Sequence, residues 1–457
     1  MILLRNLFKS GKIKLLVVPI VKLSSSIVFC ENYKKNTTQN VYLFGSRSAL
    51  PEGSTTHPLF EGENKWRIVG FGPRFGVALD KLNNVYLWGI SKDHNDYIKP
   101  FLLCKISGVV DCQCSSNEIF FLKNDGTVWT AKGVDKLLDN QREARLEKLN
   151  EFPSTLLFNE PKIVKMSIGQ KHSAFISDDG SLYCSGNNEY GQCGCKPLNL
   201  TTESTFLVYS KDEKKEDIVP LRKVKFKEKV NIKDAVCGAT HTLCIDTQNN
   251  IYSFGDDSSI QLFFGDSRGR SNKFHRDYAG FFKDKDYGVT SPIVYGQKER
   301  HLQYVPVKVN NLGFLDKYQQ IIKDSTVKLA AGDGFTVISI QLDDERANES
   351  VVLSSGNNTL GQCGTLDTTT YVAKKVKLPD KSNCEEITCG KAHCMVLTKS
   401  NKIWAWGNNQ EDQIYPMKKN IVHTPESVKL AHTGESSREP KVEYIKCSYN
   451  NSVIITS

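Results

Sequence analysis

Ile168-Gly-Gln-Lys-His-Ser-Ala-Phe-Ile-Ser-Asp-Asp-Gly-Ser-Leu-Tyr-Cys-Ser-Gly-Asn-Asn-Glu-Tyr-Gly-Gln-Cys-Gly194 is the stretch whose reading decides the fold. Ala174-Phe-Ile176 and Leu182-Tyr-Cys184 read as the apolar arms of two short strands. Asp179-Gly180 between them supplies the positive φ that a two-residue hairpin turn needs. Gly191 and Gly194 bound the loop that follows, where positive φ again calls for glycine. The same order of signals recurs along the chain, so the unit is a repeat.

A second copy opens at Gly238-Ala-Thr-His241 and closes at Ile251-Tyr-Ser-Phe-Gly255. Another runs from Gly390-Lys-Ala-His393 to Ile403-Trp-Ala-Trp-Gly407. Gly70 to Gly89, Ile119 to Gly133 and Leu329 to Gly364 hold three more, the last two degenerate or stretched. Tyr444–Ile455 carries only the first half of the pattern and Val41-Tyr-Leu-Phe-Gly45 only the second half. A ring resolves this, because pairing the chain ends completes a seventh unit and removes the open sheet edges. The expected architecture is therefore all-β: a seven-bladed propeller of four-stranded blades over residues 41–457. Its closure pairs a strand at 41–45 with strands in 442–457.

The Gly-x-x-His opening (Gly169/His172, Gly238/His241, Gly390/His393), the Trp/Phe-Gly close and the Gly-Gln-Cys-Gly tail resemble the regulator-of-chromosome-condensation repeat family. That resemblance covers roughly residues 41–457 and implies a seven-bladed propeller. It departs from the family at Cys193 and Cys363, where leucine is commoner.

The net charge of +9 is unevenly placed. Residues 1–40 hold Arg5, Lys9, Lys12, Lys14, Lys22, Lys34 and Lys35 against Glu31 alone, leaving the propeller nearly balanced and arguing against nucleic acid as its partner. Met1–Lys9 can form a basic amphipathic helix, and Ser24-Ser-Ser26 follows, the composition of a mitochondrial targeting segment. Leu15–Val21 could instead be the apolar centre of a secretory signal. A membrane anchor reaching Phe29 is interrupted by Pro19 and Lys22. The fourteen cysteines follow the repeat, Cys193 matching Cys363 and Cys237 matching Cys389. They therefore read as buried free thiols of a reducing compartment.

No catalytic set, cofactor motif or metal site is expected. Cys237-x-x-x-His241-x-x-Cys244 and Cys389-x-x-x-His393-Cys394 offer at most three zinc ligands each, so the histidines are assigned to hydrogen bonds within their own blades. Gly191-Gln-Cys-Gly194 and Gly361-Gln-Cys-Gly364 lack the helix start and Lys-Ser/Thr of a phosphate loop. The paired acids Asp178-Asp179 and Asp256-Asp257 are expected in solvated turns.

Extra residues between blades must leave as surface excursions, which commonly carry binding. Insertions are expected at about 134–160, with a short amphipathic helix around Leu137, Leu138, Leu146 and Leu149, at about 197–231, with a charged tip at 210–217, and at 266–326. The last combines Arg268, Arg270, Lys273, His275 and Arg276 with Tyr278, Phe281, Phe282 and Tyr287, and later His301, Tyr304 and Pro306. Such an arginine and aromatic mixture suits a protein interface. Its alternative is a loop that docks on its own propeller.

The resemblance implies two functional routes. Mitochondrial members of the family are linked to assembly of the respiratory chain, complex III particularly, or of the mitochondrial ribosome. The nuclear founder type is a nucleotide-exchange factor for the small GTPase Ran, whose exchange surface is not recognisable here residue by residue. The sequence reading is a non-enzymatic mitochondrial assembly scaffold in the matrix or at the inner membrane, with GTPase exchange as the alternative.

Overall fold

The computed structural model describes residues 28–29, 39–46, 60, 65–93, 95–149, 161–198, 200–203, 206–209, 217–264, 293–295, 298–300, 302–309, 326–341, 350–367, 373–416, 419–430 and 440–457. Seven four-stranded antiparallel sheets form the blades of a propeller, each with its first strand innermost. Blade 1 opens with Trp66–Phe71, blade 2 with Val109–Cys114, blade 3 with Ile163–Ile168 and blade 4 with Ile232–Cys237. Blade 5 opens with Thr326–Ala331 and blade 6 with Cys384–Cys389.

Blade 7 joins the two ends of the chain as expected. Val442–Ser448 and Asn451–Thr456 form its inner hairpin, and Asn40–Gly45 pairs along the second of these from Asn40 opposite Thr456 to Gly45 opposite Asn451. A two-residue strand, Val28–Phe29, adds the outer position. The targeting calls on residues 1–27 and 30–38 lie outside the described residues. Among the described residues, no helix is long and apolar enough to cross a membrane.

Burial explains why these short strands hold. The second strands are buried along their whole length, as in His172–Ser177, His241–Asp246 and His393–Thr398, because each lies between two neighbouring blades. The core is accordingly divided among the slots between blades rather than gathered at one centre. Val41, Leu43, Val69 and Trp88 fill the slot between blades 7 and 1, whereas Phe75, Leu87, Ile119 and Phe121 fill the next one. Trp66 and Trp88 hold Phe60 edge-on, with ring centroids at 4.9 and 6.1 Å.

The hairpin at Asp179-Gly180 differs from the two-residue turn that the sequence suggests. Ser177 and Ser181 are bonded across a three-residue loop, and only Gly180 has positive φ, at 77°. A type I turn followed by one left-handed residue gives this geometry. Asn83, Gly126, Asn249 and Asn401 occupy the same left-handed position in other blades, which explains why glycine and asparagine exchange there. Gly191, Gly194, Gly361 and Gly364 all have positive φ, between 67° and 77°.

The insertions are interrupted by blade strands. Ile218–Lys223 within 197–231 is the outer strand of blade 3, and Leu302–Lys308 within 266–326 is that of blade 4. Tyr304 and Pro306 therefore belong to the propeller. In 134–160, a helix at Val134–Asn140 buries Val134 and Leu138 against blades 1 and 2, and Glu147–Lys148 adds the outer strand of blade 2. An eighth sheet lies outside the ring. Leu200–Glu203 and Phe206–Tyr209 from blade 3 join Ile293–Tyr295 and Lys298–Arg300 from blade 4, through a parallel contact at Val208 and Val294.

Closure by blade 7 gives a direct test. Leu43 is fully buried opposite Val453, so Leu43→Ala should cost about 3 kcal/mol. Urea unfolding should show a lower midpoint. An unchanged midpoint would mean that the closing blade does not share in the cooperative fold.

Candidate functional site

The repeat histidines are the first candidates for chemistry, and the structure gives them a structural role that crosses between blades. His172 Nε2 lies 2.8 Å from Thr242 Oγ1, His241 Nε2 lies 2.8 Å from Thr336 Oγ1, and His393 Nε2 lies 2.8 Å from Ser452 Oγ. Each hydroxyl belongs to the following blade, so the assignment to bonds within one blade is corrected. Each hydroxyl also donates its proton to a backbone carbonyl of the histidine's own blade: Thr242 to Gln192 at 2.8 Å, Thr336 to Gln261 at 2.9 Å and Ser452 to Gln413 at 2.7 Å. A hydroxyl has one proton, so the histidine must donate from Nε2. That commitment removes the ring as a general base toward these hydroxyls.

The glycine three residues earlier leaves room for the ring. A Cβ on Gly238 would stand 2.3 Å from His241 Cε1, and one on Gly390 would stand 2.2 Å from His393 Cε1. A Cβ on Gly169 would stand 2.4 Å from the Gly238 carbonyl oxygen of the next blade. Gly72 and Gly332 give the same space to Phe75 and Phe335.

The exchange of histidine for phenylalanine follows the neighbour. By strand register, the residue of the next blade that faces His172, His241 or His393 is Thr242, Thr336 or Ser452. The residues facing Phe75 and Phe335 are Ile119 and Cys394. Where no hydroxyl is offered, an apolar ring fills the slot. At the junction of blades 5 and 6, Trp406 Nε1 donates to the Gln362 carbonyl oxygen at 3.0 Å and takes the place of the missing hydroxyl.

The loops that present these carbonyls are built by side chains whose roles the sequence reading passed over. Asn188 Oδ1 accepts from Cys193 N, Asn358 Oδ1 from Cys363 N and Asn409 Oδ1 from Ile414 N, each at 2.9 Å. Asp257 does the same for Leu262 N and is buried, which corrects its placement in a solvated turn. Recurrence of Gln192, Gln261, Gln362 and Gln413 at one repeat position was the available signal.

The inner strands enclose a channel of about 560 Å³. One level of its wall alternates in charge from blade to blade: Asp111, Lys165, Asp234, Lys328 and Glu386, followed by Tyr444 and Ile68. Lys165 Nζ and Asp234 Oδ1 are 2.6 Å apart, and Lys328 Nζ donates to the Glu385 carbonyl oxygen. Burial raises the Glu386 carboxyl, and Lys328 and Lys446 oppose that shift. Alternation of this kind offers no single-sign field to a polyanion. At the mouth nearest the histidines, a cavity of about 420 Å³ carries Tyr190, Asp256, Asp333 and Lys391.

Among the described residues, thirteen cysteines are free thiols and no group of three or more His, Cys, Asp or Glu could hold a metal ion. Burial raises the Cys237 and Cys104 thiols to about 12, far from the thiolate form that reacts. Arg268, Arg270, His275, Arg276, Tyr278, Phe281 and Phe282 lie outside the described residues, as do Lys273, Tyr287 and His301 and most of the charged tip at 210–217. The eighth sheet contains the strand that follows residues 266–292 and joins it to the neighbouring insertion.

Family models described as "Regulator of chromosome condensation (RCC1) repeat" match residues 163–192, 179–245 and 385–413. The chain is similar to the zebrafish (Danio rerio) protein RCC2 homolog, with 31% identity over 163 residues, 32% of this chain and 31% of that protein. It is also similar to Saccharomyces cerevisiae "Protein FMP25, mitochondrial", 25% identical over 269 residues, 56% of this chain and 40% of the relative. These matches thus span less than half of either relative. Among solved structures, human WBSCR16 superposes with a TM-score of 0.61 at 15% identity, covering 92% of this chain and 99% of the other. Saccharomyces cerevisiae Prp20p gives 0.59 at 16% identity, covering 92% and 91%.

Two tests follow from the junctions. Thr242→Val deprives both His172 and the Gln192 carbonyl of a partner and should cost about 2–4 kcal/mol. The pair His172→Phe with Thr242→Ile copies the apolar junction of blades 1 and 2, and should recover at least about 1 kcal/mol relative to the sum of the single changes. Strict additivity in chemical denaturation would refute the link.

Burial lowers the imidazole pKa of His172 to about 4 and those of His241 and His393 to about 3. Between these values and the ordinary 6.5, the unfolded chain binds the extra protons, so stability falls as pH falls through this window. Each histidine contributes up to about 1.4 kcal/mol per pH unit. Unfolding midpoints measured from pH 6.5 to 4 should fall less steeply in the His172→Phe, Thr242→Ile pair than in the parent.

Proposed function

We propose that this chain, which belongs to the regulator-of-chromosome-condensation (RCC1) repeat family, is a non-enzymatic mitochondrial scaffold that docks protein partners through the insertions of blades 3 and 4. The observation that carries this reading is the eighth sheet, in which strands from two neighbouring insertions pair outside the ring. A rigid propeller that invests residues in a second sheet is suited to presenting a surface, and loops on such scaffolds commonly carry binding. The segment rich in arginine and aromatic residues, Arg268 to Phe282, leads into that sheet and is our candidate contact.

The mitochondrial assignment is supported by the basic, hydroxyl-containing composition of residues 1–30 and by the similarity to the yeast mitochondrial protein. In the finer reading, the client is a respiratory-chain complex at the inner membrane. Complex III is favoured through the resemblance to mitochondrial family members. The buried, neutral histidines and the raised thiols favour a binding role over catalysis.

A fluorescent C-terminal fusion should be mitochondrial at full length and cytosolic without residues 1–30. Nuclear or cytosolic fluorescence from both forms would refute the assignment. Neutralising Arg268, Arg270 and Arg276 together should reduce partner co-purification by at least tenfold at unchanged protein level, and undiminished recovery would remove this segment as the site. Accelerated nucleotide release from a co-purifying GTPase would replace the scaffold reading with an exchange factor.

A further inference from the structure

The histidine junctions and the insertions of blades 3 and 4 occupy one end of the propeller. The opposite end is formed by the turns between second and third strands and by the connectors from each outer strand to the next inner strand. Between blades 3 and 4 that connector is residues 224–231, and with the strand ends on either side it reads Arg222-Lys-Val-Lys-Phe-Lys-Glu-Lys-Val-Asn-Ile-Lys233, six cations against the single carboxylate Glu228. All six cations are exposed, while Val224 and Ile232 are buried beneath them. Phe226 pins the middle of the strip by packing edge-on against Tyr252, with ring centroids at 5.4 Å. Among the described residues no acid pairs with Lys225 or Lys229. Exposed Lys81, Lys105 and Lys162 extend the positive surface across blades 1 to 3.

Apolar side chains share this end. Leu82 in the blade 1 turn is 65% exposed, and Val110 and Val164, beside the irregularities that open blades 2 and 3, are 53% and 58% exposed. Blade 4 places Lys233 at the position of Val110 and Val164, whereas blades 6 and 7 place Glu385 and Glu443 there. Among the described residues, exposed apolar groups are thus confined to blades 1 to 3 of this end. Lysines run right round it, with Lys399, Lys402 and Lys429 beyond the channel mouth beside Glu385 and Glu443, and Asp125 adds a carboxylate in the blade 2 turn. Asp178 and Asp179 oppose the cations in the blade 3 turn, but Asp179 is held by Ser177 and Ser181.

We propose that this end, over blades 1 to 4, is a docking surface for an anionic phospholipid bilayer. Branched apolar groups that stand beside lysines suit the boundary between headgroups and acyl chains. Lysine ammoniums on flexible stems act as point charges toward dispersed headgroup phosphates. Nucleic acid fits less well, because the aromatic ring of the strip is committed to Tyr252 and offers no stacking platform. The assignment stands on the chemistry of this end in whichever compartment the protein works, and its residues are separate from the docking segment above. Bound this way, the protein would point its insertions away from the bilayer.

The test is flotation of the full-length protein with phosphatidylcholine vesicles, with and without cardiolipin. Binding should require cardiolipin and weaken as salt rises. Lys225→Gln with Lys229→Gln should lower partition about 30-fold, whereas the two arginine replacements should retain it. Val110→Ser with Val164→Ser should weaken binding without changing its salt dependence. The thermal midpoint of every variant should match the parent. No flotation by the parent overturns the proposal, as does preference for duplex DNA at the same salt. Undiminished flotation of the glutamine pair also overturns it and assigns the affinity to residues 1–40.

Discussion

The bond from a histidine on one blade to a hydroxyl on the next, and from that hydroxyl back to a carbonyl, is the constraint that holds this ring together. Neighbouring blades share only isolated backbone bonds, such as Ala239 N to the Gly332 carbonyl and Asp333 N to the Lys391 carbonyl, so side chains carry much of how one sheet sits on another. At three junctions a single Thr or Ser does so by accepting from one chain segment and donating to another. The arrangement sets further requirements. Glycine must precede the histidine by three residues, the carbonyl must be held by an Asn or Asp cap, and the imidazole must stay neutral. A position that resembles a zinc ligand in sequence is thereby committed to architecture.

Legibility in the sequence followed the range of each interaction. The strands, the seven units and the split blade were readable because hydrophobic arms and turn glycines are local signals repeated many times. The partner of His241 was not, because Thr336 lies 95 residues away on another blade, and nothing in one copy of the repeat announces it. The signal was present across copies, where phenylalanine replaces histidine in front of Ile119 and Cys394. Asp257 was misplaced for a related reason: beside Asp256 it resembles a solvated pair, but its position is that of Asn188 and Asn358. The arginine and aromatic segment was legible as an unusual composition and nothing more. Its chemistry depends on a partner that the chain does not encode.

The two ends of the propeller divide the labour in our reading. Between them, the channel wall alternates in sign and pairs Lys165 with Asp234, so neither charge dominates the middle of the molecule. Outward-facing groups are then free to differ from end to end without disturbing the core. Nearly all apolar burial lies between blades, so decoration of the loops costs the ring little stability. That separation lets one repeat carry insertions as unlike as a short helix and an added sheet.

Blade 7 carries a consequence for the history of each molecule. Ser46 N is bonded to Asn451 Oδ1, a partner 405 residues away, and Asn40–Gly45 pairs with Asn451–Thr456 along its whole length. During synthesis Asn40–Gly45 is made long before its partner strand Asn451–Thr456, with only Val28–Phe29 beside it. The ring therefore stays an open arc until Asn451–Thr456 has been made. The contact that completes the ring is thus one of the last between blades to become available.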